Sequence, residues 1–162
     1  MASSSANSGN QWQLGPEDAE KVRVQLEAVG CRYTEQRGAV YAYLRSVDSH
    51  PTAEEVYEAV RCDQPRISLA TVYKALEALA ESHLANKLTY GDGSARFDCR
   101  PESHYHFRDT NTGEVRDLPA SFDPQLLAKL DPQLEKRLAT EGFRVTGYRL
   151  EVLGHFEEPS DK

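Results

Sequence analysis

The sequence predicts an α+β fold in two small domains, a helical N-terminal one closed by a β-hairpin and a C-terminal one of short strands around one helix. Three observations carry this expectation. Helix-start residues recur before apolar stripes at Pro16, Thr34, Thr52 and Ser68. The triplet Gly91-Asp92-Gly93 separates two strand-like runs, and from residue 104 the patterning shortens to that of strands.

Pro16 opens a polar helix with Val22, Val24, Leu26 and Val29 as its apolar positions, and Gly30 ends it. Thr34 caps a second helix striped by Val40, Tyr41 and Leu44. His50-Pro51 breaks the chain, and Thr52 with Glu55 three residues later forms a capping box for a helix through Val56, Tyr57 and Val60. Ser68 caps a helix with Leu69, Val72, Leu76 and Leu79 on a core face and Ala70, Tyr73, Lys74 and Glu77 on the other. Runs 84–90 and 94–98 then flank the glycine turn. Three helices followed by a hairpin is the order of a winged helix-turn-helix. Beyond it, His104–Arg108 and Glu114–Leu118 make a second hairpin, residues 124–141 read as helix and 143–153 as strand. The expected division is a disordered tail over 1–15, a winged-helix domain over 16–98, a hinge over 99–103 and a second domain over 104–157.

Each half holds about 60–80 residues, a size at which one core is marginal alone, so dimerisation or a metal should add stability. A net charge of −7 and a pI near 5.2 argue against bulk electrostatic capture of nucleic acid. Residues 1–60 carry five basic and nine acidic side chains, residues 61–100 six and five, and residues 101–162 eight and twelve. Only the middle third is not acidic, so contact with DNA would use a small surface on a symmetric dimer. The first 15 residues lack the charge and apolar core of a signal peptide, and no apolar run is long enough to span a bilayer. Cys31, Cys62 and Cys99 are odd in number and widely spaced, which excludes a disulfide framework and a four-thiolate zinc site. A reduced, cytoplasmic protein with no membrane partner is expected.

His104 and His106, two apart on a strand, project to one face with Tyr105 opposite, and two converging imidazoles make a chelate. Asp98 ends the preceding hairpin, Asp117 lies on the strand that should pair with His104–Arg108, and His50 sits in the helix-breaking loop. A site drawn from His50, Asp98, His104, His106 and Asp117 would offer three nitrogens and two carboxylates across the domain boundary. That donor set suits Fe2+ or Mn2+ better than structural zinc. His83 and His155 have no comparable company.

The segments Thr34-Glu35-Gln36-Arg37, His50-Pro51-Thr52-Ala53-Glu54-Glu55-Val56-Tyr57, Ile67-Ser68-Leu69-Ala70-Thr71-Val72-Tyr73-Lys74-Ala75-Leu76, Arg96-Phe97-Asp98 and His104-Tyr105-His106 together resemble the ferric uptake regulator (Fur) family. Within it the chain looks most like the peroxide-responsive PerR-type repressors. Asp117 stands where iron-sensing members carry Glu, and Ser103, Tyr105 and Tyr148 stand where a second metal site would be. The five ligands match the PerR regulatory site. One departure is large: the two CxxC pairs that hold structural zinc in most members are replaced by Asp109 and Thr112, and by Phe156 and Pro159. No structural zinc held by four cysteines can form, which puts zinc-dependent dimer stability in doubt.

The resemblance implies a homodimer, joined through the second domain, that binds a palindromic operator in double-stranded DNA when Fe2+ or Mn2+ is held, with Zn2+ able to substitute in vitro. Tyr73 and Lys74 would face the major groove, Ser68 and Thr71 would meet phosphates at the helix N-terminus, and Arg37 and Lys87 are further backbone contacts. Lys74 replaces an arginine found in many members and loses its bidentate fork. The signal implied is hydrogen peroxide, which oxidises His50 or His104 at the iron site and releases the repressor. This is stoichiometric self-oxidation, so no enzyme is implied. The competing expectations are an iron- or manganese-responsive repressor of metal uptake genes without peroxide sensing, a DNA-binding module that has lost sensing, and a mononuclear iron oxygenase. Three histidines and two carboxylates leave that last reading little room for substrate. Cys99, beside Asp98, is expected to be buried rather than redox-active.

Overall fold

The computed structural model describes residues 11–90, 93–100 and 102–157. Residues 1–10 of the expected tail, Gly91 and Asp92 of the turn, Pro101 of the linker and Pro159 lie outside the described residues. The chain divides into two compact units, Met1–Pro101 and Glu102–Lys162.

The N-terminal unit runs α1 (Pro16–Ala28), α2 (Glu35–Ser46), α3 (Ala53–Val60), α4 (Leu69–Glu81), β1 (Asn86–Thr89) and β2 (Ala95–Asp98). The predicted caps form. Thr34 accepts from the Arg37 N–H, Ser68 from the Thr71 N–H, and Thr52 and Glu55 complete both halves of a capping box. Each such cap stabilises its helix by about 1 kcal/mol. Helix α1 stops before Gly30, whose φ of 76° suits a residue without Cβ. His83 plays the same part after α4, at φ 58°, where the Leu84 N–H reaches back to the Leu79 carbonyl.

Val22, Leu26, Val40, Leu44, Val56, Val60, Val72, Leu76, Leu79 and Phe97 make one buried core from all four helices and the hairpin. In α1 the expected stripe narrows to Val22 and Leu26, one turn apart. Val24, two positions from each of them, points away from that face, and Val29 is the C-cap residue beyond the end of the helix, so both are exposed. Truncating Leu76, with no exposed surface, should cost about 2–5 kcal/mol. Residues 11–15 also differ from the expected tail: the Trp12 ring N–H donates to the Ala59 carbonyl at 3.2 Å, and the ring meets Tyr43 edge-on at 5.1 Å. An indole buries large apolar area and needs one acceptor, and α3 supplies it.

In the C-terminal unit, β3 (His106–Asp109) pairs antiparallel with β4 (Val115–Asp117) and parallel with β5 (Glu151–Gly154), giving the order β4-β3-β5. The helix expected over 124–141 is two, α5 (Leu126–Leu130) and α6 (Leu134–Thr140). Pro132 has no N–H for a continuous helix, and Asp131 restarts it by accepting from the Gln133 N–H at 2.9 Å. The strand expected over 143–153 is confined to β5. Its partner begins only at His106, opposite Glu151, so earlier residues have no ladder to join. Tyr105 and Val115 are buried here, whereas Leu130, Phe143, Val152, Leu153 and Phe156 are exposed. Among the described residues no helix is long and apolar enough to cross a membrane.

Candidate metal centre and nucleic-acid interface

The hairpin register sets the geometry in the C-terminal unit. His106 stands opposite Asp117 across β3 and β4, so both side chains project to one face. His104 precedes the strand rather than lying in it, yet its ring comes within 4.5 Å of the His106 ring, centroid to centroid. Its Nδ1 lies 2.7 Å from the Glu102 carbonyl. A carbonyl only accepts, so Nδ1 carries a proton, and in the neutral ring Nε2 is then the nitrogen that can bind a cation. That Nε2 is 3.3 Å from Asp117 Oδ1, and His106 Nε2 is 4.0 Å from the same oxygen. A nitrogen lone pair and a carboxylate oxygen at that distance repel unless a proton or cation lies between them. The carbonyl behind His104 is the kind of outer support that metal-bound imidazoles use. His104, His106 and Asp117 thus fit a divalent cation.

In the N-terminal unit His50 and Asp98 are both buried, with Nε2 to Oδ2 at 4.0 Å. Their loops are tied by the backbone: the Phe97 N–H donates to the Pro51 carbonyl at 3.0 Å, and Arg96 Nη1 to the His50 carbonyl at 2.8 Å. The Arg100 N–H holds the other Asp98 oxygen at 2.9 Å. The helix break at His50-Pro51 therefore presents an imidazole toward the end of β2.

One acidic residue escaped the sequence reading. Glu151 stands opposite His106 on the β5 side, so Asp117, His106 and Glu151 form a row across three strands on one face. One Glu151 oxygen is sealed from solvent with no hydrogen bond. Only the β3–β5 register reveals this, and nothing local to Glu151 announces it.

Cysteines take no part in either cluster. Cys99 donates its S–H toward the Leu84 carbonyl at 3.4 Å, and burial pushes its thiol up to about 11, which keeps it protonated at neutral pH. Where the resemblance places zinc-binding pairs, the Asp109 carboxylate accepts from the Asn111 and Thr112 N–H groups at 2.7 and 3.0 Å. Its second oxygen accepts from the Phe156 N–H at 3.2 Å. Asp109 thus joins the turn after β3 to the segment that follows β5. Tyr105 and Tyr148 share a hydroxyl–hydroxyl bond of 2.8 Å, and Tyr148 also donates to the Asp123 carbonyl. Desolvation, then the Tyr105 bond, pushes the Tyr148 phenol up to about 12.

The outward face of α4 carries the expected DNA-facing residues. Tyr73 and Lys74 are exposed, Tyr73 by 43%. Ser68 and Thr71 are joined by a 2.9 Å side-chain bond, so Ser68 acts here as the helix cap. Tyr73 donates to Glu54 at 2.6 Å, Lys87 pairs with Glu77 at 2.6 Å, and Arg37 Nη1 donates to the Arg32 carbonyl. These acidic partners were not foreseen, since they lie 19 and 10 residues away in the chain.

Comparison with known proteins identifies the family. Residues 28–153 match the model of the ferric uptake regulator family. The chain is 37% identical over 149 residues to the peroxide-responsive repressor PerR of Staphylococcus aureus (strain USA300), covering 90% of this chain and 93% of that protein. Among solved structures, the Campylobacter jejuni peroxide stress regulator superposes with a TM-score of 0.59 at 27% identity, covering 88% of this chain and 96% of the other. The Pseudomonas aeruginosa ferric uptake regulator, solved with manganese, gives 0.59 at 25% identity over 83% of this chain and 97% of its own. The chain belongs to the ferric uptake regulator family.

Proposed function

We propose that the protein is a homodimeric, metal-dependent repressor that binds palindromic operator DNA and is released from it by hydrogen peroxide. The facing of His104 Nε2 and Asp117 Oδ1 at 3.3 Å, with His106 beside them, is the observation that carries the metal-dependent part of the reading. Identity to a peroxide-responsive repressor, with Asp rather than Glu at position 117, supports the signal. The proposed ligands are His50, Asp98, His104, His106 and Asp117. Bound Fe2+ would supply the redox chemistry with peroxide, whereas Mn2+ would support DNA binding without it. The chain's part is to hold a histidine ring against the oxidant: one oxygen of H2O2 is added to the ring of His50 or His104, and the other leaves as water. An oxidised ring is a poorer donor, so metal and operator are lost together.

In the DNA complex, Tyr73 and Lys74 would enter the major groove, with Ser68, Thr71, Arg37 and Lys87 along the phosphates. Exposed Leu130, Phe143, Val152, Leu153 and Phe156 give the C-terminal unit an apolar surface that suits a second copy.

The test is mass spectrometry of iron-loaded protein after peroxide release from operator DNA. One added oxygen is expected on the peptide carrying His50 or His104, and unmodified histidines in released protein would refute the sensor. The alternative is an iron- or manganese-responsive repressor without peroxide sensing. The structural likeness to a zinc-bound manganese uptake regulator, at 28% identity and TM-score 0.59, favours it. Under that alternative, metal supply but not peroxide relieves repression.

A further inference from the structure

The outward face of α4 is covered by the protein's own carboxylates. Glu54, in the first turn of α3, accepts the Tyr73 hydroxyl at 2.6 Å. Glu77, one helical turn beyond Tyr73 and Lys74, holds the Lys87 ammonium at 2.6 Å. Arg96 Nη1 lies 3.3 Å from Glu55. All of these side chains except Arg96 are on exposed positions, so the pairings are not forced by burial. The Tyr73 bond holds the Glu54 carboxyl below its ordinary value, so the group is ionised at neutral pH.

Two consequences follow from charge and geometry. A phenol that donates to Glu54 cannot donate to a phosphate, and its ring is held in one orientation at the surface. A lysine paired with Glu77 brings no net charge to a polyanion, and the carboxylate adds repulsion. Resting on the proposed DNA-binding reading, we infer that Glu54 and Glu77 are specificity determinants: Glu54 positions the Tyr73 ring for base contact, and Glu77 withholds Lys87 from indiscriminate phosphate contact. A non-specific duplex is bound almost entirely through phosphates, so masking Lys87 weakens it proportionally more than an operator that also gains base contacts. This offers an acidic chain a way to discriminate, because its small basic surface is released only where base contacts compensate.

The experiment uses the full Mn2+-loaded chain and fluorescence anisotropy on two duplexes, one selected by the protein from a random pool and one a scramble of it. Glu77→Gln should bind the scramble more tightly and steepen its salt dependence by about one unit of log K per log salt, roughly a three- to four-fold extra loss between 50 and 200 mM. The ratio of selected to scrambled affinity should fall. Glu54→Gln keeps an acceptor for Tyr73 and should retain affinity for the selected duplex. Glu54→Ala should lose it, together with the penalty for replacing contacted thymines by uracil. An unchanged slope and ratio in Glu77→Gln, or identical behaviour of the two Glu54 variants, overturns the inference. Failure of the wild-type chain to select any duplex would instead overturn the DNA-binding reading beneath it.

Discussion

At the scale of single residues, the candidate centre depends on where one carboxylate ends. Asp117 Oδ1 meets two imidazole nitrogens at 3.3 and 4.0 Å because its side chain is short and its strand position is fixed opposite His106. Asp117→Glu pushes the carboxylate one methylene further while keeping its charge. We predict that this variant retains Mn2+-dependent operator binding but becomes less sensitive to peroxide, by about ten-fold in the concentration needed for release, the lower end of the roughly 10–100-fold that changes around metal ligands cost. Release assays on iron-loaded protein check it, and equal sensitivity would show that position 117 does not set the signal. The imidazole pair was legible in the sequence from its two-residue spacing, although only His106 lies in the strand and His104 meets it from the segment just before. Glu151 was not, since its place beside His106 depends on parallel pairing between segments 45 residues apart.

Elements were most legible where a local signal sufficed. Thr34, Thr52 with Glu55, and Ser68 each announce a helix start by chemistry contained within four residues, and each cap forms. The C-terminal unit was less legible, because its strands are short and their extent is set by partners far along the chain. The turn after β3 illustrates the point. The Asp109 carboxylate gathers N–H groups from Asn111, Thr112 and Phe156. Around it, Phe107 meets the Phe156 ring edge-on and Arg116 lies over that ring at 4.8 Å. Backbone hydrogen bonds from Thr112 and then Phe156 hold the Asp109 carboxyl below its ordinary 3.8. A depressed folded-state value stabilises the fold above the unfolded value and loses that contribution as pH falls through the folded one. We therefore expect Asp109→Asn to lower the melting temperature near neutral pH and to flatten its decline below about pH 4. Thermal melts at pH 7 and pH 3 measure this, and parallel curves for the two proteins would remove Asp109 from that role.

For the whole molecule, size and charge were legible early, but the means of association were not. Three scattered cysteines are too few for a four-thiolate site in one chain, so the proposed dimer would rest on other groups. Leu153, 62% exposed on β5, offers the simplest test of the proposed dimer surface. Leu153→Asp should give a folded monomer by light scattering and lose operator affinity by at least about 100-fold, since two half-sites are then no longer read together. A dimeric variant would place the interface elsewhere. The early packing of Trp12 has a separate consequence. It is the only tryptophan of the chain, and it is seated on α3 with its N–H on Ala59 and its ring against Tyr43. Indole emission excited at long wavelength therefore reports on the N-terminal unit alone, whereas the tyrosines are spread through both units. The molecule carries a built-in optical label by which the loosening of its helical half can be followed separately from that of its β-sheet half.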